Sequence, residues 1–463
     1  MTGMGKEWYN DKKAAPRPSE HPLGAFCVFT FILLYRNECS MNHIQLHEGF
    51  PLLPHPRARA IIDTEALTSN YHTLMQPILA VSPNTKAIAV VKADAYGHGI
   101  RPVVSALLTA GCRSFAVACP EEAVALRKLL RELLVGTASD EDADVLVLGY
   151  TDPRNVSLLY AYRIATTLLS AEYAEKLLAA AREAGVTVKG HVALDTGMNR
   201  IGFPAHNEEE INKAITAICD LWEHGVPNPD KDEGGIILDG LYTHFARADE
   251  DFDTEMKHSH SLTMTQYARY RRVCDALEAK GIRPRVRHIC NSAAAIRFAS
   301  ALPEGCLDAV RLGISLYGYG VDSPIEKNGD LKPVMRLESA VTHVHTLIPG
   351  ETVGYGGTYK ADAPRTLATL PVGYADGWLR SFAGAEVTLH TKNGPVTAPI
   401  VGRVCMDQCM VDVTGLPVEV GTPVTLFGIT PDQLTALAKR AGTIHYELLC
   451  LVTARIPRVY EEI

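Results

Sequence analysis

Between residues 86 and 314 the chain alternates short apolar runs with longer amphipathic stretches, and few folds accommodate that pattern. Apolar runs near 86–92, 114–118, 144–149, 164–169, 189–195, 237–244, 286–290 and 309–314 read as strands buried on both faces. Among the stretches between them, 120–134, 171–184, 208–224 and 262–280 carry apolar residues at helical spacing. Eight such alternations favour a closed parallel (β/α)8 barrel over an open sheet. An earlier run, Arg59-Ala-Ile-Ile-Asp63, is left over and free to pair elsewhere. Thr64 reads as the N-cap of a helix that follows it, with Glu65 in the first turn and Leu67, Tyr71 and Leu74 along one face.

Near residue 330 the texture changes. Short β-type runs at 341–347, 365–370, 385–390, 396–401 and 424–427 are separated by Gly, Pro, Asp and Asn turns, with one clear helix at 432–440. The expected architecture is therefore α/β: a TIM-type barrel over 56–330, then a C-terminal all-β domain over 331–463, with strand 59–63 pairing to the latter. Residues 1–55 read as an N-terminal extension. Lys12, Lys13 and Arg17 precede an apolar stretch at 26–35 that is short for a bilayer span and lacks a small-residue cleavage site. Residues 1–40 thus read as a disordered extension or a start-site artefact ahead of Met41, with a membrane tether the weaker alternative.

The chain is long enough, at 463 residues, for two or three domains. A net charge of −8 with no basic block argues against a nucleic-acid partner. The 11 cysteines are an odd number without repeating spacing. Those at 112, 119, 290 and 450 lie in apolar runs and read as buried thiols of a cytoplasmic protein. Cys405 and Cys409 have no companion His/Cys group, so no metal site is expected.

Reactive side chains of such a barrel gather where its strands end. Lys92 closes the first run and opens Ala93-Asp-Ala-Tyr96-Gly97-His98-Gly99. Set against apolar walls, its ammonium would lose a proton readily and leave a nucleophilic amine. His244 ends the sixth run, Asn291 and Ser292 follow the seventh, and Arg311 lies on the eighth. Each alone is most simply a satisfied loop residue, a reading preferred for His288. Together they converge on one mouth.

From residue 57 onward the chain closely resembles the alanine racemases. Besides the Lys92 segment, the resemblance rests on Asp195-Thr-Gly-Met-Asn-Arg200, Tyr242-Thr-His-Phe245, Asn291-Ser-Ala-Ala-Ala295, Gly354-Tyr-Gly-Gly-Thr-Tyr359, Gly373-Tyr-Ala-Asp-Gly-Trp378 and Gly402-Arg-Val-Cys-Met-Asp407. It implies racemisation of L- and D-alanine, with D-alanine destined for peptidoglycan. It also implies pyridoxal 5'-phosphate bound covalently to Lys92. Lys92 and Tyr355 would be bases on opposite faces of the substrate. A phenol titrates near pH 10 and needs cationic neighbours, a part the family gives to His244 and Arg311. Arg311 would also face the cofactor's ring nitrogen and leave it unprotonated. Tyr96, Ser292, Tyr446 and backbone near Gly313 and Ile314 would hold the phosphate. Arg200 and the Met406 backbone would hold the substrate carboxylate. Tyr355 and Met406 would come from the second subunit of a homodimer.

Two positions depart from the family pattern. A lysine, modified to a carbamate, is frequent two residues before the Asp of the Asp-Thr-Gly-Met motif; here Ala193 stands there, so an anion or a polar neighbour must orient Arg200. His445 replaces a common asparagine. Alternatives are a serine or broad-specificity racemase, disfavoured by the bulk of Tyr446, and a non-catalytic pyridoxal-phosphate protein, which would have no use for the β domain. A decarboxylase on a related barrel would carry different β-domain motifs.

Overall fold

The computed structural model describes residues 43–45, 53, 55–136, 143–227, 234–249, 261–299, 307–320 and 330–460. The expectation for residues 1–40 lies outside them. Eight parallel strands form the barrel: β1 (Lys86–Val90), β2 (Ser114–Val117), β3 (Asp144–Val147), β4 (Ala165–Leu168), β5 (Thr187–Asp195), β6 (Gly235–Thr243), β7 (Val286–His288) and β8 (Ala309–Leu312). Each pairs with its sequence neighbours, and β8 pairs with β1 at Arg311 and Ile88, which closes the ring. Val, Ile, Leu, Phe and Ala fill these strands because both faces are covered, one by barrel interior and one by helices.

The helices between them start where a short polar side chain can accept the first orphan N–H groups. Ser170, Asn207 and Ser261 cap Ala171–Glu183, Glu208–Gly225 and Leu262–Glu278 through Tyr173, Glu210 and Met264. The helix before β1 is Thr64–Val81, and its cap is Asp63, not Thr64. The Asp63 carboxylate accepts from the Ala66 N–H at 2.8 Å, while Thr64 has already turned helical.

The leftover strand, Ala58–Ile62, lies outside the barrel, between Met335–Ala340 (antiparallel) and Arg458–Tyr460 (parallel). The sheet continues through Pro423–Phe427, Glu386–Thr391, Gly394–Val401, Cys409–Asp412, Arg365–Leu370 and His343–Leu347. At its other edge His43–Gln45 pairs antiparallel with Arg458–Tyr460, so the strand content reaches further toward the N-terminus than residue 56. The expected helix is present as Pro431–Ala441, but it is not the only one: His445–Leu451 is helical too, seven residues being too few to display a period.

Arg458 fastens the β domain to the barrel. Its buried guanidinium donates from Nε to the Gly97 carbonyl at 2.9 Å, and from Nη1 and Nη2 to the carbonyls of Thr453, Ile456 and Val452 at 2.7 Å each. Burial pushes its pKa down to about 10, yet the charge persists at neutral pH. Arg458→Met keeps the stem and strands the carbonyls of Gly97, Ile456 and Val452, since that of Thr453 still accepts from Ile456 N–H, and each buried acceptor costs roughly 1–3 kcal/mol. Urea unfolding should show a loss on the order of 3 kcal/mol; an unchanged midpoint would refute this account of the junction.

Candidate active site

Lys92 begins a turn of unusual handedness. Ala93, Asp94, Ala95 and Tyr96 all have φ between 52° and 55°, four consecutive non-glycine residues in the left-handed region. Such a turn persists only where its surroundings dictate it. Glu122 accepts from the N–H groups of Ala93 (2.7 Å) and Ala118 (2.8 Å), tying the turn to the end of β2. Asp94 accepts from the Ile100 N–H at 2.8 Å. A Cβ on Gly97 would stand 2.4 Å from the Leu449 carbonyl, so only glycine lets helix His445–Leu451 approach this closely. Lys92 and Tyr96 are thereby placed at the start and the end of one rigid turn.

Both line a cavity of about 950 Å³ at the C-terminal ends of the strands. Arg200, His244, Asn291, Ser292, Arg311, Gly313, Ile314 and Tyr446 line it as well, so ten residues singled out in the sequence meet in one place. Burial, then the Arg200 charge, lowers the Lys92 pKa and favours the neutral amine.

Arg311 is held from several sides. Nη1 donates to Nδ1 of His288 (2.8 Å) and to the His288 carbonyl (2.7 Å). Nη2 donates to the Thr243 carbonyl (2.9 Å), with Nδ1 of His244 and the Ile289 carbonyl at 3.3 Å. All four Nη protons are engaged, and among the described residues none accepts from Nε. The guanidinium lies 5.1 Å from the Tyr242 ring centroid, and that ring stacks on His288. Burial, then the charges of Arg311, Arg200 and Lys92, holds the His244 imidazole well below its usual pKa. It stays neutral and accepts from Arg311. The expectation that His244 supplies a positive charge is therefore corrected: the cations here are Arg311 and Arg200.

At the ends of β7 and β8 the chain forms an anion cradle. Ser292 Oγ accepts from Gly313 N–H at 2.8 Å and from Ser315 N–H at 3.4 Å. A Cβ on Gly313 would sit 2.8 Å from the Tyr96 hydroxyl and 3.6 Å from Ser292 Oγ, so two hydroxyls and a bare backbone surround one point. The Tyr446 ring lies 6.2 Å from that of Tyr96, and burial raises the Tyr446 phenol to about 12. A low-pKa amine, hydroxyls grouped for a phosphate and one uncommitted guanidinium N–H together fit pyridoxal phosphate.

Arg200 projects from a turn built by Asp195, whose Oδ1 accepts from Gly197 N–H (3.1 Å) and Asn199 N–H (3.0 Å). Ala193 is buried, and among the described residues none is bonded to the Arg200 guanidinium. Tyr355 and Met406 do not line this cavity. They stand on the β domain, 69% and 52% exposed. Gly354, Gly356 and Gly357, all at positive φ, bend the loop tightly around Tyr355.

Two readings of single residues need correction. His288 is no loop residue: it ends β7, is fully buried, and bonds through both ring nitrogens. Cys450 is exposed and lines the cavity, and Cys119 is half-buried, whereas Cys112 and Cys290 are buried as expected. Tyr446 and Cys450 are four apart on a short helix and share a face, which an apolar run does not disclose. Met198, within the Asp195–Arg200 motif but given no role there, and Asp249, which carries no sequence signal, also line the cavity.

Residues 62–321 match the family described as alanine racemase, N-terminal domain, and residues 334–460 match alanine racemase, C-terminal domain. Alanine racemase 1 of Clostridium acetobutylicum is 39% identical over 406 residues, which is 87% of this chain and 94% of that protein. The crystal structure of alanine racemase from E. faecalis superposes with a TM-score of 0.72 at 34% identity, covering 89% of this chain and all of that one. A histidine racemase from Leuconostoc mesenteroides reaches a TM-score of 0.71 at 28% identity, covering 88% of this chain and 99% of that one. With both of its domains matched and the cavity between their residues described, the chain belongs to the alanine racemase family.

Proposed function

We propose that this protein interconverts L- and D-alanine with pyridoxal 5'-phosphate, as a homodimer in which each cavity is completed by the second copy, and so supplies D-alanine for peptidoglycan. One observation carries the reading: a half-buried Lys92, its pKa lowered by desolvation, shares a cavity with an arginine whose Nε–H finds no acceptor among the described residues. Bound, the cofactor would delocalise the electron pair left when the substrate Cα loses its proton. Tyr96, Ser292, Tyr446 and the N–H groups near Gly313 and Ile314 hold its phosphate. Arg311 would direct Nε–H to its ring nitrogen, and Asn291, which lines the cavity and caps the helix Ser292–Arg297 through the Ala294 N–H, would help to hold the cofactor.

Lys92 takes or returns a proton at one face of Cα. The opposite face needs a second base. Tyr355 of the partner subunit fills that part. The Arg200 guanidinium grips the substrate carboxylate. The Met406 backbone, whose carbonyl accepts from Ala375 N–H at 3.0 Å, offers its N–H to that carboxylate. Residence in the cytoplasm is supported by the described cysteines, all of which are free thiols. Among the described residues no helix is long and apolar enough to cross a membrane.

A second reading, broader substrate range, is favoured by the cavity's size relative to a methyl side chain and by the likeness to a protein named a histidine racemase. Assays with a panel of L-amino acids separate the two: alanine should be turned over fastest, and faster serine or histidine turnover would replace the first reading with the second.

Two predictions follow from the shared cavity and the cradle. Tyr355→Phe should lose roughly 10²–10⁴-fold in racemisation while keeping the visible band of lysine-bound cofactor. Lys92→Ala should lose both. Mixing the two variants should restore activity that neither has alone, because one cavity of the mixed dimer carries neither lesion; no recovery on confirmed subunit exchange would refute sharing. Gly313→Ala should raise the Kd for pyridoxal phosphate by about tenfold or more, a loss of at least about 1.4 kcal/mol, read by titrating cofactor into apoprotein.

A further inference from the structure

A line of hydrogen bonds crosses the barrel interior beneath the cavity. From Arg311 it passes to Nδ1 of His288 at 2.8 Å, then from Nε2 of His288 to Nδ1 of His191 at 2.9 Å, and from Nε2 of His191 to Asp239 at 3.4 Å. Arg285 closes the far end, donating to both Asp239 oxygens at 2.9 and 2.7 Å and to Asp144 at 3.0 Å. His191, Asp239, His288 and Arg311 are all buried.

The position of every proton in this line follows from its upper end. A guanidinium has donors and no acceptor, so His288 Nδ1 must be bare and its proton must sit on Nε2. His191 Nδ1 then has to accept, which leaves its proton on Nε2, facing the Asp239 carboxylate. Both imidazoles are neutral, and the line runs donor to acceptor in one direction, from cation to anion. Burial, then the charge of Arg311, keeps His288 from charging. Burial opposes ionisation of Asp239, but hydrogen bonds from Arg285 and His191 overcome it and hold the carboxyl well below its usual range.

Two backbone irregularities accommodate this line. The β5–β6 register slips by one between Gly190 and His191: Gly190 faces Leu238 and His191 faces Gly240, so Asp239 is the extra residue of a bulge. At Gly240 an added Cβ would stand 2.3 Å from His191 Nδ1. The bulge re-aims Asp239, and the glycine makes room for the His191 ring.

We propose that Asp239, His191 and His288 are positioning residues that fix the orientation and charge of Arg311 from the opposite end of the barrel, and so aim its Nε–H into the cavity. The kinetic part of this inference rests on the racemase reading; the proton positions do not. Nitrogen-15 spectra of histidine-labelled apoprotein at neutral pH should show His288 and His191 each neutral and protonated on Nε2. A proton on Nδ1 of His288 would overturn the proposal, and this measurement needs no variant to fold.

In the holoenzyme, His191→Phe and Asp239→Asn should each lower kcat for alanine by about tenfold, the size of one pKa unit of lost charge stabilisation. KM should stay within about twofold, since Arg311 lies apart from the substrate carboxylate site. Links in series fail together, so the double variant should be no worse than the poorer single one. Unchanged kcat in both variants, or losses that multiply, would overturn it. If the unmodified protein racemises nothing, the racemase reading fails while the nitrogen-15 result still judges the wiring.

Discussion

Four residues forced into the left-handed region behind Lys92 set the terms for the rest of the molecule. For L-residues that conformation costs roughly 1–2 kcal/mol each, so the turn carries on the order of 4–8 kcal/mol that its own sequence does not recover. The offset comes from elsewhere: Glu122 at the end of β2, Asp94 within the turn, Arg458 on the Gly97 carbonyl, and helix His445–Leu451 packed over Gly97. The amine and the Tyr96 hydroxyl are placed accurately because three separate elements hold the peptide between them. Barrel and β domain are accordingly not independent parts, and the site cannot be built without the second.

That dependence explains what could and could not be read from the chain. Each barrel strand announced itself by an unbroken apolar run, since a strand covered on both faces needs no polar residue to mark a side. Lys92, His244, Asn291, Ser292 and Arg311 were legible as polar residues at the ends of such runs, where only one mouth is available to them. Arg200, Tyr355 and Met406 were legible only through family motifs: the physics of a loop does not say what the loop will meet. Tyr355 is exposed on the β domain, and among the described residues none is bonded to the Arg200 guanidinium.

The misses have local causes. Asp63 captures the helix start from Thr64 because its carboxylate reaches the Ala66 N–H while Thr64 has begun the helix. His288 reads as a satisfied loop residue because its partners, Arg311 and His191, are distant in sequence and meet it only inside the closed ring. The slip between Gly190 and His191 leaves no periodic trace, since one added residue in an apolar run alters no pattern. Cys450 was misplaced because a seven-residue helix and a buried strand look alike when most of the residues are apolar.

The interior position of Ala58–Ile62 in the second sheet has a consequence for biogenesis. This strand is made before either neighbour: one flank must await Met335–Ala340 and the other Arg458–Tyr460, far downstream. The ring of eight can close during translation, whereas this strand keeps one edge bare until Arg458–Tyr460 emerges. Its five residues, Ala-Arg-Ala-Ile-Ile, include a charge that discourages strand-to-strand aggregation during the wait. Loss of Arg458–Tyr460 would therefore strip one neighbour from a strand made long before it.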